Sequence, residues 1–281
     1  MQKNSSIGKI YINYLVFGHE NSREGHELLL KICNRMFPMT EVITVEVDNS
    51  RSQFCAQENN NYHRISGNNT CFEFSGWDAG FKYIKQTFDF QCNDLIVYAN
   101  DTLHRRSYAN GGNKFLDIFD FPIVEGKDLS EVAIGFLDDF PKDVTLMGMT
   151  QHQWIRSNIF MISSDVATQL HPLVFPLEKE YVFGGEGEKF FRDIPEISEN
   201  WRAYISSWLF AENDPNFPEY NLNWLKSEKL TEQNRSFFQT KATTILSEHY
   251  LTARLFKWNI EIIDTNHFLL NSDRHVAPYY E

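Results

Sequence analysis

Asn93-Asp94-Leu95-Ile96-Val97-Tyr98-Ala99-Asn100-Asp101-Thr102 is a short apolar run that stops abruptly in a polar triplet carrying a carboxylate. Leu95 to Ala99 is brief, β-branched and aromatic, which is the pattern of a buried strand. In open α/β sheets, ligands bind in the crevice beyond the carboxyl ends of the strands. Asn100, Asp101 and Thr102 are therefore expected at such an edge. Just upstream, Phe74-Ser75-Gly76-Trp77-Asp78-Ala79-Gly80-Phe81 reads as the opening of a helix, with Trp77, Phe81, Ile84 and Phe88 at helical spacing.

Working toward the N-terminus, Lys9 to Phe17 reads as a first strand. Ser22 can cap a helix running to about Met36, with Leu28, Leu29, Ile32, Cys33 and Met36 on one face and Pro38 beyond its end. Glu41 to Val47 is a second strand ending in Asp48-Asn49-Ser50. This β-α-β order implies a parallel pair with a right-handed crossover. Ser50 to Asn61 reads as loop, and Tyr62 to Ser66 as a short strand.

Toward the C-terminus, Asn110 to Asn113 reads as a turn and Lys114 to Phe119 as a short helix. Val132 to Leu137, Val144 to Met149 and Ile159 to Ile162 are strand candidates. Ser198 can cap a helix with Trp201, Tyr204, Ile205, Trp208 and Leu209 in one stripe. Asn213 to Asn221 reads as loop, Lys241 to Lys257 as the last long helix and Ile260 to Ile263 as a last strand. The expected fold class is α/β: a Rossmann-type mixed sheet flanked by helices. One continuous domain is expected, with a ligand-binding half over about 1–105 and a second half over about 106–281.

Composition bounds the function. The chain has 281 residues, 42% hydrophobic and 23% charged, an ordinary globular balance with enough apolar residues for a sizeable core. Its net charge of −12 argues against nucleic acid as the main partner, because phosphate backbones want a basic face. Cys33, Cys55, Cys71 and Cys92 form no C-x-x-C pair and have no neighbouring His cluster, so zinc is not expected. No secretory leader or apolar run of about 18 residues appears, which leads us to expect a cytoplasmic protein with reduced thiols.

Several residues could carry chemistry. Asp48 and Asn49, just past a strand, suit a ribose or base edge, or else a turn closing on itself. Ser75-Gly76-Trp77-Asp78 has the form of a capping box. In a binding role, Gly76 and Gly80 would let the backbone approach a ligand, and Asp78 would accept bonds from sugar hydroxyls. Asp101 is the best metal candidate, with Asn100 and Thr102 as a thin supporting set for a hard divalent cation. Arg156 could pair bidentately with a phosphate or carboxylate, beside Ser157. Glu248 lies within a broad apolar arc of its helix with no Lys or Arg three or four residues away. A carboxylate there is costly unless bound, and a raised pKa would suit a general base. Gly184 to Glu188 reads as a mobile loop. No P-loop and no G-x-S-x-G motif is present.

The order of these motifs resembles bacterial GT-A-type glycosyltransferases, especially the rhamnan-synthesis-like polysaccharide enzymes. The matching pieces are Phe17-Gly18-His19, Gly76-Trp77-Asp78-Ala79-Gly80, Asn100-Asp101-Thr102, Trp154 to Ser163 and Glu248-His249-Tyr250-Leu251-Thr252. The resemblance spans roughly residues 9 to 263 through short, degenerate motifs. It implies a nucleotide-sugar donor and a glycan or lipid-linked glycan acceptor in bacterial surface polysaccharide synthesis, with peripheral docking at the inner face of the membrane. It puts His19, Asp48, Asn49, Gly76, Trp77, Asp78, Asn100, Thr102, Arg156 and Ser157 around the donor. Asp101 would hold Mg²⁺ or Mn²⁺, and Glu248 would be the catalytic base with Asp193 and Asp138 behind it. Asn100 and Thr102 replace the flanking carboxylate positions of the D-x-D motif, which places metal dependence in doubt. The competing readings are a sugar-phosphate nucleotidyltransferase, which the lack of a Gly-rich basic loop after the first strand disfavours, and a non-catalytic carbohydrate-binding module of transferase fold.

Overall fold

The computed structural model describes residues 7–18, 22–50, 61–103, 119, 124–125, 127–210, 224 and 226–265, with the backbone path of 55–59. Its strands are β1 (Lys9–Val16), β2 (Glu41–Asp48), β3 (Cys55–Asn59), β4 (Tyr62–Ser66), β5 (Leu95–Asn100), β6 (Val132–Leu146), β7 (Met149–Ser163) and β8 (Glu261–Asp264). Its helices, in chain order, are α1 (Ser22–Met36), α2 (Phe72–Thr87), α3 (Ser164–Leu170), α4 (Lys179–Val182), α5 (Glu199–Phe210) and α6 (Glu232–Lys257). All eight strands form one sheet in the order β3-β4-β2-β1-β5-β7-β6-β8. The β4-β2-β1-β5 half is parallel; β7 runs antiparallel to both β5 and β6, and β8 is parallel to β6. The protein is thus a mixed α/β fold.

Both faces of the central strands are covered, which is why they read as continuous apolar runs. Successive side chains alternate between faces. Ile10, Ile12, Tyr14 and Val16 of β1 join Leu95, Val97 and Ala99 of β5 under α1. Tyr11 and Leu15 join Ile96 and Tyr98 under α2. A third cluster gathers the far end of the β6/β7 hairpin with α5 and the first half of α6. Helix α1 runs as its sequence pattern predicts, burying Leu29, Ile32, Cys33 and Met36.

Four expectations are corrected. Residues 55–59 are not loop but β3, an antiparallel edge strand on β4; their polar sequence hides them, because an edge strand has less to bury. Helix α2 starts at Phe72, not near Ser75. Ser75 Oγ accepts the Cys71 amide from inside the first turn, at 3.0 Å, so Ser75 is no N-cap. Val132–Leu137 and Val144–Met149 are not two strands. They belong to the single strand β6 and the Met147-Gly148 turn that leads into β7; both turn residues have positive φ. Asp138 and Asp139 stay paired with Trp154 and Gln153, and the register shift at Asp139/Val144 carries Phe140, Pro141, Lys142 and Asp143 outside the regular ladder, so the sequence breaks where the strand does not. Helix α6 begins nine residues before Lys241, at Glu232, with Thr231 and Asn234 in a reciprocal capping box. The turn at 110–113 and the loop at 213–221 lie outside the described residues, as does the helix expected over 114–119, except for Phe119, which is buried.

Candidate functional site

The carboxyl ends of β1, β2, β4 and β5 form one polar edge. Asp101 is placed there by two bonds to the end of β1: its amide donates to the Leu15 carbonyl at 3.0 Å, and its carboxylate accepts from the Phe17 amide at 2.9 Å. Asn100 Oδ1 accepts from both the Thr102 amide, at 3.2 Å, and the Thr102 hydroxyl. Asp48 Oδ1 accepts the Ser50 amide at 2.9 Å and the Ser50 hydroxyl at 2.6 Å, so its nearest role is closing the turn after β2. Asn49 Nδ2 donates to the Phe72 carbonyl at 2.8 Å and to Asn69 Oδ1 at 3.2 Å, tying this edge to the start of α2. Phe72 sits at φ 41, a backbone conformation that a bulky residue holds only under constraint.

A hard divalent cation needs several oxygen ligands. Asp101 brings one carboxylate already engaged by an amide, and Asn100 Oδ1 is taken by Thr102. No group of three or more His, Cys, Asp or Glu side chains gathers as a metal site among the described residues. The described residues around Asp101 therefore do not by themselves make a protein-held Mg²⁺ or Mn²⁺ site.

Across β5, the ladder to β7 pairs Ala99 with Ile159. The pairing stops there, and β7 bulges against β6 between Phe160 and Ile155, so Asn158 and Ser157 follow just past the end of that ladder. Here two of the predicted residues meet. The Ser157 amide donates to Glu248 Oε1, reaching from α6, and the Ser157 hydroxyl lies 3.4 Å from Glu73 Oε1 in the first turn of α2. Burial raises the Glu248 pKa; the Ser157 bonds oppose this, Glu73 adds to it and Lys241 opposes it. Glu248 is thus a carboxyl at the strand-end edge that holds its proton more tightly than an ordinary glutamate. Asn158 Oδ1, one residue along β7 from Ser157, is buried with no hydrogen-bond donor among the described residues.

Other predicted residues serve the fold. Arg156 forms a bidentate ion pair with Asp138 across the β6/β7 hairpin, so the proposed phosphate ligand and one proposed base occupy each other. Asp193 pairs with Arg202 on an exposed surface. Trp77 is fully buried and donates to the Ala99 carbonyl at 3.2 Å. Asp78 faces away from the edge and binds His171 Nδ1 at 2.6 Å and the Leu173 amide at 2.7 Å. Gly76 and Gly80 serve close helix-strand packing: an added Cβ would lie 2.0 Å from Leu15 Cδ1 and 2.1 Å from Asn13 Oδ1, respectively. The Gly184–Glu188 loop closes on itself through the Gly185 amide and Glu188. It lines a cavity of about 440 Å³ with Tyr181 and Arg192, apart from the edge. His19 lies outside the described residues.

The sequence reading missed Glu73, Phe72 and Asn158. A carboxylate in a helix first turn is ordinarily a dipole partner, and the contact that brings Glu73 here spans 84 residues of sequence.

Next to Glu248, His249 is fully enclosed, and its Nδ1 accepts from Trp201 Nε1 at 2.8 Å. Burial lowers its pKa to about 3. The unfolded chain therefore takes up a proton near pH 6.5 that the folded protein refuses. The stability this gives is complete above that pH and is lost as pH falls toward 3, by about 1.4 kcal/mol per pH unit. Urea midpoints measured at pH 7.5 and 5 should fall further in the parent protein than in His249→Gln; equal falls would refute the assignment.

The chain thus belongs to the mixed α/β class, with a polar strand-end edge and a half-buried carboxyl, Glu248, beside it. No known family model, curated protein or solved structure matches it. No helix among the described residues is long and apolar enough to cross a membrane.

Proposed function

We propose that this protein is a GT-A-like glycosyltransferase that moves a sugar from a nucleotide-diphosphate donor to a glycan or lipid-linked glycan acceptor. The observation that carries the reading is Glu248, a carboxyl of raised pKa held by the Ser157 amide at the carboxyl edge of a mixed sheet. Ligands of open α/β sheets bind at that edge. Glycosyl transfer passes through an oxocarbenium-like state, and an inverting reaction needs a carboxylate to take the acceptor hydroxyl's proton. Glu248 supplies that base. The Ser157 amide fixes the oxygen that accepts from it, and Glu73 strengthens the base by repelling its charged form. Asp101 and Asn49 line the donor side, where a carboxylate and an amide suit ribose and sugar hydroxyls better than a diphosphate.

A second reading is saccharide binding without turnover. It is favoured by the Arg156–Asp138 pair, which takes from the edge the cation that a leaving diphosphate would use. The two readings separate in a thermal-shift panel of nucleotides and nucleotide sugars, with and without Mg²⁺ or Mn²⁺. A ligand at about 100 times its Kd should add nearly 3 kcal/mol, a rise of a few degrees. A selective rise with one nucleotide diphosphate, reduced in Asp101→Ala, supports the transferase. No rise with any nucleotide rejects it.

A further inference from the structure

Helix α6 carries a stripe that ends at Glu248. Phe237, Lys241, Thr244 and Glu248 recur at three- and four-residue intervals. At about 100° per residue, Phe237, Lys241 and Glu248 fall within about 40° of one another on the helix. The stripe rises about 16 Å from Phe237 to Glu248.

Its far end is aromatic. Trp208 and Trp224 stack with centroids 5.1 Å apart and planes 15° from parallel. Trp224 and Phe237 are 6.5 Å apart at 7°. Phe237 is 42% exposed, and its ring meets Phe72 at 6.3 Å. Since Phe72 accepts from Asn49, the platform is continuous with the strand-end edge. Phe237 also closes one side of a cavity of about 580 Å³ whose other lining includes Ser227, Gln233 and Asn234 with the opposed charges of Lys226 and Glu228.

Lys241 sits over both indoles, its Nζ 5.8 Å from the Trp208 centroid and 5.4 Å from that of Trp224. It makes no ion pair among the described residues, in a chain with 38 acidic residues against 26 basic ones. Two aromatic faces fix this cation without neutralising it. It lies two turns, about 10 Å along the axis, from Glu248. Aromatic ring faces are weakly negative and meet the C–H face of a pyranose. The combination of a ring platform, a cation held over it with no ion-pair partner among the described residues and a carboxyl that accepts a hydroxyl's proton matches one kind of ligand.

We propose that this face of α6 is a saccharide subsite selective for acidic sugars, with the pyranose on the Phe237 and Trp224 platform and its carboxylate at Lys241. The further placement of a sugar hydroxyl at Glu248 rests on the glycosyltransferase reading; the platform and the cation do not.

Intrinsic tryptophan fluorescence tests it directly. The full chain is titrated with galacturonate and glucuronate, with galactose and glucose as neutral counterparts, and with acetate as a free carboxylate. Saturable changes are expected with the uronates. Lys241→Gln should weaken them about tenfold, Lys241→Arg should recover part of the loss, and Phe237→Ala should weaken every sugar. The response to acetate should be small. Neutral and acidic sugars binding alike, Lys241→Gln without effect, or no saturable response to any sugar would overturn the proposal. Circular dichroism of each variant guards against misfolding. No nucleotide enters these titrations, so uronate binding alongside a silent nucleotide panel would reject the transferase and keep the subsite; the converse result would do the reverse.

Discussion

Glu248→Gln is expected to lower sugar transfer by a factor of about 10²–10⁴, the usual contribution of a positioned general base. The amide keeps an oxygen for the Ser157 N–H and nearly the same volume, so the fold should survive and the loss should fall on turnover rather than donor affinity. The pH profile gives a second readout. Transfer needs Glu248 ionised, so activity falls on the acid side as the carboxyl takes its proton. Burial and Glu73 raise that pKa, and the acid limb should lie above the ordinary glutamate value of 4.5. Glu73→Gln removes a repulsion and should move the limb down. Lys241→Gln removes an attraction and should move it up. Opposite movements from these two substitutions would not arise if Glu248 were merely structural. Unchanged turnover in Glu248→Gln would instead mean a retaining reaction or no reaction at all.

The parallel half of the sheet was legible in the sequence because β1, β2 and β5 are largely buried on both faces, β4 alternates buried and half-buried residues, and turn residues bound them. β1, β2, β4 and β5 fall within a residue of their expected ends. The fold was less legible where little is buried or the ladder breaks. β3 is an edge, the first nine residues of α6 bury only Phe238, and β6 carries Pro141 and Asp143 through its bulge. The site divides the same way. The strand-end position of Asp101 and Asn100 was legible because it is a local signal. The inward position of Glu248 was legible because an apolar arc has a period. Asp78 and Arg156 misled because their partners lie far along the chain or across a hairpin that had not been recognised. Asp78 is 93 residues from His171, and nothing in Ser75-Gly76-Trp77-Asp78 separates a helix cap from a tertiary anchor. Trp77, grouped with the donor residues by the resemblance alone, is fully buried against β5, a contact that nothing local in Gly76-Trp77-Asp78 reveals.

Asp78→Ala should destabilise the protein by about 3–5 kcal/mol, although Asp78 looked like a ligand residue. Its carboxylate accepts three bonds: from His171 Nδ1 at 2.6 Å, the Leu173 amide at 2.7 Å and the Val174 amide at 3.3 Å. His171 is held on every side. Its Nε2 faces the Tyr98 hydroxyl at 2.7 Å, and its ring stacks on Phe81 with centroids 3.8 Å apart. Burial lowers the His171 pKa although Asp78 pulls the other way, so the ring is neutral, donating to Asp78 and accepting from Tyr98. Arg254 donates to the Leu170 and Pro172 carbonyls of the same segment from α6. Removing the carboxylate strands three donors at once, each worth about 1–3 kcal/mol when buried without a partner. Asp78→Asn keeps an acceptor oxygen and should lose less. Urea midpoints measure the loss, and a double-mutant cycle with His171→Phe apportions it. The same variants separate the two roles assigned to Asp78. A structural anchor lowers stability and leaves ligand affinity per folded molecule unchanged in Asp78→Asn. A sugar-hydroxyl ligand would lower affinity and leave stability almost untouched, and that result would return Asp78 to the binding site.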